Sequence, residues 1–296
     1  DMAFYAIRFT PGDRILTSSV EYGSNFLAFM QVARRTGARI EVIPNSGTGE
    51  VSVEALREMM DERVKLIAIT HVPTNSGLVN PVGEIGSLAK EWGALYLVDA
   101  CQSIGQMPID VEAIGCHMLS ATGRKFLRGP RGMGFLYVRK DMVELLEPPH
   151  IDIHSARWID SETYCIQPDA RRFETWERNY AAHIGLGVAV EYAMQWGVSA
   201  IRKRVYTLAE RLRSHLSAIA GVHLCDKGGE RCGIVSFIVE GRDHHDLRAK
   251  LASRKVNVSV SPRSHTLLDM DARGLRDVIR ASVHYYNTEQ ELDTFV

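Results

Sequence analysis

The sequence predicts an α/β protein with a large domain, built on a mainly parallel sheet flanked by helices, and a smaller C-terminal α+β domain. In the first part of the chain, short apolar runs alternate with helical patterns, several of which end at a glycine. Strands that are almost entirely apolar are typical of a parallel sheet covered on both faces. From about Ser199 the order changes to helices mixed with pairs of strands. We therefore expect a large domain over residues 1–197 and a small domain over residues 198–296.

Each element follows from its local pattern. In the first part, β-branched runs predict strands at 14–19, 39–44, 65–70, 94–100, 116–121 and 134–139, and helical periodicity predicts helices near 25–36, 54–63 and 82–92. The stretch from Glu147 to about Glu177 is expected to be loop-rich, and a long helix follows it. In the second part we expect strands at 222–225, 233–239, 256–260 and 278–286, a helix at 244–254 and a final helix.

Composition limits the possible functions. Lys and Arg number 35 and Asp and Glu number 36, so the net charge of −1 gives no general attraction to nucleic acid or an anionic membrane. No apolar run approaches the roughly 20 residues that span a bilayer. The five cysteines are an odd number in a large chain, which favours reduced thiols and a cytoplasmic location. Cys225 and Cys232 lack the further ligands of a zinc site, so no metal is expected there.

Polar residues stand where three expected strands of the parallel sheet end. Ligands bind beyond the carboxyl ends of such strands, which singles out Thr70–Asn75, Asp99–Gln102 and Thr122–Lys125. Asp99 follows an apolar strand, and a partly desolvated carboxylate there needs a cation or a strong donor. Taken alone, Asp99 would be better explained by a helix cap or a loop ion pair. Gln102, three residues later, can face the same crevice.

Lys125 lies in the most cationic stretch of the chain, "ATGRKFLRGPRGMG". A lysine among other cations has a lowered pKa, which is the condition for an amine that attacks an aldehyde. A solvated basic loop would explain Lys125 alone. A nucleotide-binding P-loop is excluded because "GRKF" lacks the Ser or Thr and the preceding glycine run, and "GPRGMG" lacks the dinucleotide fingerprint. Four cations in one turn are also too few for a nucleic-acid surface.

Together these residues resemble the pyridoxal-phosphate site of the class V aminotransferase and cysteine desulfurase-like superfamily, of fold type I. The resemblance covers almost the whole chain, through "EYGSN", "ITHVPTNSG", "LVDACQSIG", "SATGRKFLRGPRGMGFLYV", "RRFETWE" and "IRASVHYYNTEQEL" in that order. It implies pyridoxal 5'-phosphate as the cofactor, an amino acid as the small-molecule substrate, and a homodimer.

The resemblance also implies roles for the residues that follow the strands. Lys125 would form the aldimine with the cofactor and shuttle protons at the α-carbon of the substrate. Asp99 would pair with the pyridinium nitrogen, and Gln102 would donate to the phenolic oxygen of the ring. Thr122 and Arg124 would bind the phosphate, and the family often has a histidine where Arg124 stands.

Three further positions match the family. Tyr22, in "EYGS", stands where an aromatic side chain, commonly histidine, stacks on the cofactor, and we prefer this role to that of a buried aromatic residue after a strand. Thr74 stands where many members carry an asparagine that contacts the cofactor, and the neighbouring Asn75 leaves open which of the two does so. Arg280 has few acidic neighbours in its strand and would bind the α-carboxylate of the substrate, unless it merely lies on a solvated face.

Three departures from the family affect these expectations. Cysteine desulfurases carry a nucleophilic cysteine on a loop before the Arg280 strand, and here "SVSPRSHTLLDMD" contains none. After "RRFE", Trp176 and Glu177 replace a Gly-Thr pair that reaches the phosphate of the partner subunit. "DMAFYAIRF" resembles the later turns of a helix, so we expect residues before Asp1 that complete the phosphate site.

The leading hypothesis is an enzyme that acts at the α-carbon of an amino acid. Transamination, epimerisation and β-elimination by a C–S lyase remain open, so the protein could be a transferase, an isomerase or a lyase. One alternative is desulfurase or selenocysteine lyase activity without the loop cysteine, and another is a scaffold protein that has lost catalysis. A nicotinamide-dependent oxidoreductase is disfavoured because no G-x-G-x-x-G turn follows a strand.

Overall fold

A computed structural model describes residues 2–296, which fold around two sheets and a hairpin. The first part of the chain, up to Trp196, holds helices and strands in alternation. Its helices are α1 (Met2–Tyr5), α2 (Gly23–Thr36), α3 (Val53–Met59), α4 (Val82–Trp92), α5 (Val111–Ile114) and α6 (Tyr180–Trp196). Its strands are β1 (Arg14–Ser18), β2 (Arg39–Ile43), β3 (Val64–Thr70), β4 (Leu95–Asp99), β5 (Met118–Thr122), β6 (Gly134–Val138), β7 (Ala156–Trp158) and β8 (Tyr164–Ile166). Asp1, the first residue of the helical pattern expected at the start, lies outside the described residues.

The large sheet is mainly parallel and confirms the predicted fold class. Its strand order is β2-β1-β3-β4-β5-β6, and only β6 runs antiparallel to its neighbour. Alternate residues of β3 enter two cores, because Ile67 and Ile69 pack on one face and Leu66 and Ala68 on the other. Burial on both faces explains why this strand reads as a continuous apolar run. The sheet thus aligns the carboxyl ends of β3, β4 and β5 at one edge.

The second part contains the antiparallel sheet. It holds α7 (Val198–Ser217), β9 (Val222–Leu224), β10 (Ile234–Val239), α8 (His244–Ser253), β11 (Ser259–Pro262), α9 (Leu267–Ala272), β12 (Asp277–Ser282) and α10 (Glu289–Phe295). The strand order is β11-β12-β10-β9. The period of two in β12 sends Ile279 and Ala281 into the core beneath α7, which leaves Arg280 on the opposite face.

The two parts share a helix and a core. The start of α7 packs Ile201 and Val205 against Leu127 and Leu186 of the first part, whereas its later turns cover the antiparallel sheet. Gly197, with a φ of 79°, separates α6 from α7. The division at residues 197 and 198 stays a prediction.

One expectation needs refinement. The stretch from Glu147 to Glu177 was expected to be only loop-rich, but it contains the hairpin of β7 and β8. Asp160 builds its turn, since the Oδ1 atom accepts hydrogen bonds from the backbone N–H groups of Glu162 and Thr163. The strands are three residues long and largely exposed, so they leave no apolar alternation in the sequence.

Among residues 2–296, no helix has the length and apolar character needed to cross a membrane. The same residues contain no group of three or more His, Cys, Asp or Glu side chains that could hold a metal ion.

Candidate active site

The site begins at Asp99, the last residue of β4. Its Oδ1 atom accepts a hydrogen bond of 2.8 Å from the backbone N–H of Cys101, and its Oδ2 atom accepts one of 2.8 Å from Asn25 Nδ2. Asn25 lies in the first turn of α2, which follows β1 in the chain. Two donors from different elements therefore fix the carboxylate at the edge of the sheet.

Glu21 is a second carboxylate of this site, and the sequence analysis missed it. It is 4% exposed and accepts hydrogen bonds of 2.9 Å from Asn25 Nδ2 and 3.0 Å from the backbone N–H of Thr70. Burial, followed by the charge of Asp99, raises the pKa of Glu21 to about 7. Asn25 Nδ2 thus donates a hydrogen bond to each carboxylate, which offsets part of the repulsion between them. The available signal was a glutamate three residues after the end of a buried strand and four residues before an asparagine.

Lys125 follows the end of β5 by three residues, within the turn that begins at Gly123. Burial lowers the pKa of its ammonium group. The charges of Arg280 and Arg124 lower it further, whereas Asp99 and Cys101 act in the opposite direction. Within residues 2–296, its Nζ atom has no ion pair or hydrogen bond. The structure therefore provides a partly buried amine on which the charge of Asp99 acts, and its role in binding the cofactor stays a prediction.

The turn that carries Lys125 is held from the second part of the chain. His284 Nε2 donates a hydrogen bond of 3.1 Å to the backbone carbonyl of Phe126, and the two rings stack with centroids 5.5 Å apart. Burial lowers the pKa of His284 to about 4, so the ring is neutral at physiological pH. The segment that follows β12 therefore holds the lysine in position through its neighbour Phe126.

Gln102 and Arg280 meet inside the cleft. Arg280 Nη2 lies 3.5 Å from Gln102 Oε1, and both Gln102 Nε2 and Arg280 Nε are buried without a hydrogen-bond partner among the described residues. Burial lowers the pKa of Arg280 to about 10, and the charge of Arg124 adds to this effect. Buried donors without partners are rare, so these two nitrogen atoms are available to the acceptors of a ligand.

Tyr22 is the N-cap residue of α2 and is partly buried. Its ring centroid lies 6.1 Å from that of His265. Thr74 and its neighbour Asn75 are both buried, and both polar atoms of the Asn75 side chain make hydrogen bonds. Asn75 Nδ2 donates to Thr266 Oγ1 at 2.9 Å, and Asn75 Oδ1 accepts from Ser261 Oγ at 2.5 Å. Asn75 is thus a structural link, which leaves Thr74 as the predicted contact with the cofactor.

Thr122 and Arg124 flank the same turn as Lys125. Thr122 is the last residue of β5 and pairs with Gly134, and the side chain of Arg124 is exposed. Arg128 is not part of this group. It donates a hydrogen bond to Tyr285 Oη, and its guanidinium lies 4.9 Å from the ring centroid of Tyr192, which gives it a local role in packing. Trp176 and Glu177, the residues that depart from the family pattern, are exposed.

Comparison with known proteins decides the family. The family model for aminotransferase class-V matches residues 2–295. The chain belongs to this family. A probable cysteine desulfurase of Methanothermobacter thermautotrophicus is 33% identical over 290 residues, which are 97% of this chain and 72% of that protein. A probable cysteine desulfurase of Xylella fastidiosa (strain 9a5c) is also 33% identical, over 98% of this chain and 69% of its own length.

Solved structures agree with this assignment. The apo structure of a cysteine desulfurase from Thermococcus onnurineus superimposes with a TM-score of 0.92 at 30% identity, covering 97% of this chain and 72% of that one. A cystine C–S lyase, C-DES, has been solved as a mutant with glycine covalently linked to its PLP cofactor, and it shares the fold with a TM-score of 0.86 at 23% identity. The predicted family and the fold class are confirmed, and the predicted cofactor, pyridoxal phosphate, is that of the family.

Proposed function

We propose that the protein is a pyridoxal-phosphate-dependent lyase that cleaves the carbon–sulfur bond of cysteine or a related amino acid. The observation that carries the proposal is the Lys125 amine, which is partly buried and unpaired among residues 2–296 and on which the charges of Asp99 and of the half-buried Arg280 act. The relatives named cysteine desulfurase, and the C–S lyase with the same fold, support a sulfur amino acid as substrate.

The residues of the cleft fit the cofactor. Bound pyridoxal phosphate supplies an aldehyde that condenses with amines and a ring that withdraws electrons from the adjacent carbon. Asp99 would hold the proton of the ring nitrogen, because Asn25 and the backbone orient its carboxylate. The buried, unpartnered Gln102 Nε2 would donate to the ring oxygen. Thr122 and Arg124 would bind the phosphate through a hydroxyl and a guanidinium.

Two further residues complete this proposed cofactor site. Tyr22, at the entrance of α2, would cover one face of the ring, and its aromatic side chain suits stacking. Thr74 would contact the cofactor from the loop after β3, since the neighbouring Asn75 is used elsewhere.

The chain's own groups then act on the substrate. The guanidinium of Arg280, which has no acidic partner among the described residues, would hold the α-carboxylate in a charge-assisted pair. The amine of Lys125 would take the proton from the α-carbon, because burial lowers its pKa and so favours its neutral form. Arg280 and Lys125 would in this way fix two of the substituents of that carbon.

The sulfur is proposed to leave as a free product. The segment Ser259–Leu267 contains no cysteine, and Cys101, the cysteine whose charge acts on Lys125, is a poor nucleophile. Burial, followed by the charge of Asp99, raises the pKa of its thiol to about 12. With cysteine, the overall reaction would be cysteine plus water giving pyruvate, ammonia and hydrogen sulfide.

A second candidate is a cysteine desulfurase, which the names of the relatives favour. In that reaction cysteine and an acceptor thiol would give alanine and a persulfide. The acceptor would then be a separate thiol compound. Transamination and epimerisation would leave the C–S bond intact and give a keto acid or the inverted amino acid. A scaffold without catalysis is disfavoured by the presence of Lys125, Asp99 and Gln102 in one cleft.

We also propose a homodimer in the cytoplasm. Helix α6 exposes an apolar stripe at four-residue spacing, formed by Tyr180, Ile184, Val188, Tyr192 and Trp196. An exposed stripe of this length is typical of an interface between subunits. The five free cysteines suit a reducing compartment.

Product analysis tests the proposal. Protein loaded with pyridoxal phosphate would be incubated with cysteine or cystine, and pyruvate, ammonia, sulfide and alanine would be measured. We expect pyruvate and ammonia in equal amounts, abolished by Lys125→Ala and unaffected by Lys140→Ala, which changes an exposed lysine. Borohydride should fix the cofactor to Lys125 only. Alanine as the main product would establish the desulfurase, and no turnover or cofactor binding would establish the scaffold.

A further inference from the structure

The segment between β11 and α9 folds into a 3-10 turn, Arg263–His265, against the entrance of α2. Gly23 leaves no space there, since a Cβ atom at this position would lie 2.3 Å from the backbone carbonyl oxygen of Ser264. The contact brings His265 next to Tyr22, with their ring centroids 6.1 Å apart. A residue that is distant in sequence from the proposed cofactor site therefore borders it.

A chain of hydrogen bonds fixes which nitrogen of His265 carries the proton. Asn75 donates its amide to Thr266, so its Oδ1 atom is the acceptor for the Ser261 hydroxyl at 2.5 Å. Ser261 has a single hydroxyl hydrogen, which this bond uses. The contact of 2.9 Å between Ser261 Oγ and His265 Nδ1 then requires Nδ1 to donate. The other ring nitrogen, Nε2, is left as an acceptor, and it has no partner among residues 2–296.

The surroundings keep this ring neutral. Burial lowers the pKa of His265, and the positive charges of Arg280 and Lys125 lower it further. These two cations are the residues proposed to hold the carboxylate and to act at the α-carbon. The imidazole is therefore near enough to both cations for their charges to act on it, and it neighbours Tyr22, the residue proposed to cover the cofactor ring.

We propose that His265 Nε2 accepts a hydrogen bond from the side chain of the substrate and selects amino acids that carry a proton donor there, such as a thiol. This inference rests on the proposed function, because it takes Arg280 and Lys125 as the groups that orient the amino acid. A substrate carboxylate on Arg280 would also offset one of the two nearby charges and so strengthen Nε2 as an acceptor. A buried acceptor left without a donor disfavours analogues that lack one.

The first test examines the unliganded protein. Nitrogen-15 NMR of the imidazole in cofactor-free protein should show Nδ1 protonated and Nε2 unprotonated at neutral pH. His265→Asn would assign the signal, because an asparagine amide can keep the bond to Ser261 while removing the second nitrogen. A proton on Nε2 would overturn the proposal whatever reaction the enzyme catalyses.

The second test compares binding of two ligands. In Lys125→Ala protein loaded with cofactor, cysteine and S-methylcysteine would be titrated and followed by absorbance. We expect a preference for cysteine that His265→Asn reduces about tenfold and that His245→Asn, a change at an exposed histidine of α8, leaves intact. An unchanged preference in His265→Asn would refute the inference.

The outcome is separable from that of the proposed function. If product analysis shows that another amino acid is the substrate, the same comparison would use that amino acid and its methylated analogue. Loss of selectivity in His265→Asn would then support the role of His265 although the lyase assignment had failed.

Discussion

Arg280 and Gln102, which are 178 positions apart in the chain, approach each other to 3.5 Å between Nη2 and Oε1. Arg280 belongs to β12 of the antiparallel sheet, and Gln102 follows β4 of the mainly parallel sheet. The residue proposed to hold the substrate carboxylate is therefore in direct contact with one proposed to hold the cofactor. Neither buried nitrogen, Arg280 Nε or Gln102 Nε2, has a partner among residues 2–296.

Replacing Gln102 by glutamate should disable substrate binding. The new carboxylate would pair with Arg280 and compete with the carboxylate of the amino acid, since a charge-assisted hydrogen bond is worth about 1.5–3 kcal/mol. We expect the KM for the amino acid to rise roughly tenfold to hundredfold. Steady-state kinetics at saturating cofactor would measure it. Gln102→Leu is the control, because it removes the amide without pairing Arg280, and an equal rise in KM in both variants would contradict this explanation.

The cofactor-free protein should lose stability as the pH rises towards 7, because of Glu21. Its folded pKa of about 7 lies above the ordinary value of 4.5, so the folded state binds its proton more tightly than the unfolded state does. The stabilisation is therefore complete below pH 4.5 and is lost as the pH rises through about 7. We expect the loss to be about 3 kcal/mol in the free energy of unfolding, measured by urea denaturation.

Glu21→Gln is the matched variant for this experiment. Glutamine keeps a similar volume but cannot ionise, so the difference in stability between the two proteins should change across the same pH range. Parallel pH profiles for the two proteins would show that Glu21 titrates at its ordinary pKa.

Asn75→Ala should destabilise the fold, whereas Thr74→Ala should not. The asparagine makes buried hydrogen bonds to Ser261 and Thr266, and its backbone carbonyl accepts one of 2.7 Å from Ser236 Oγ. Loss of the side-chain bonds, with the Ser261 and Thr266 hydroxyl groups each losing a partner, should cost roughly 2–4 kcal/mol in the free energy of unfolding. Urea denaturation of cofactor-free protein measures this cost. The opposite ranking of the two variants would show that Thr74 is the structural residue.

Charges on the exposed stripe of α6 should separate the subunits of the proposed homodimer. Ile184 and Val188 are 70% and 59% exposed, so aspartates at both positions would not disturb the fold of one chain but would oppose burial against another. Sedimentation velocity should show the mass of the double variant fall to half that of the unchanged protein. Lys250→Asp, on the exposed surface of α8, is the control. A monomeric unchanged protein would contradict the prediction.

Much of the fold was predictable because the pattern of apolar residues shows which strands are buried and which face of a strand enters the core. Strands buried on both faces read as apolar runs, and parallel strands align their carboxyl ends, so Asp99 and Lys125 had to converge. Alternation in β12 likewise predicted that Arg280 faces away from Ile279 and Ala281. These inferences depend on local periodicity and on sheet geometry, which a single sequence contains.

The remaining parts of the site depend on contacts between distant segments. Glu21 looks like an ordinary residue before a helix until Asn25 and Asp99 are brought beside it. His265 stands in a segment without periodicity, and only the close approach of Ser264 to Gly23 places it near Tyr22. The sequence could not decide between Thr74 and Asn75, because the choice depends on the hydrogen bonds of Asn75 to Ser261 of β11 and to Thr266, which precedes α9.

The hydrogen bonds of Asn75 have a consequence for heat denaturation. They tie the loop after β3 to the antiparallel sheet through three partners, and the start of α7 joins the same two regions by apolar packing. Unfolding of either sheet would break these contacts with the other, so the two sheets should unfold together. Scanning calorimetry should therefore record a single endotherm, with equal calorimetric and van't Hoff enthalpies, from a chain that carries two separate sheets.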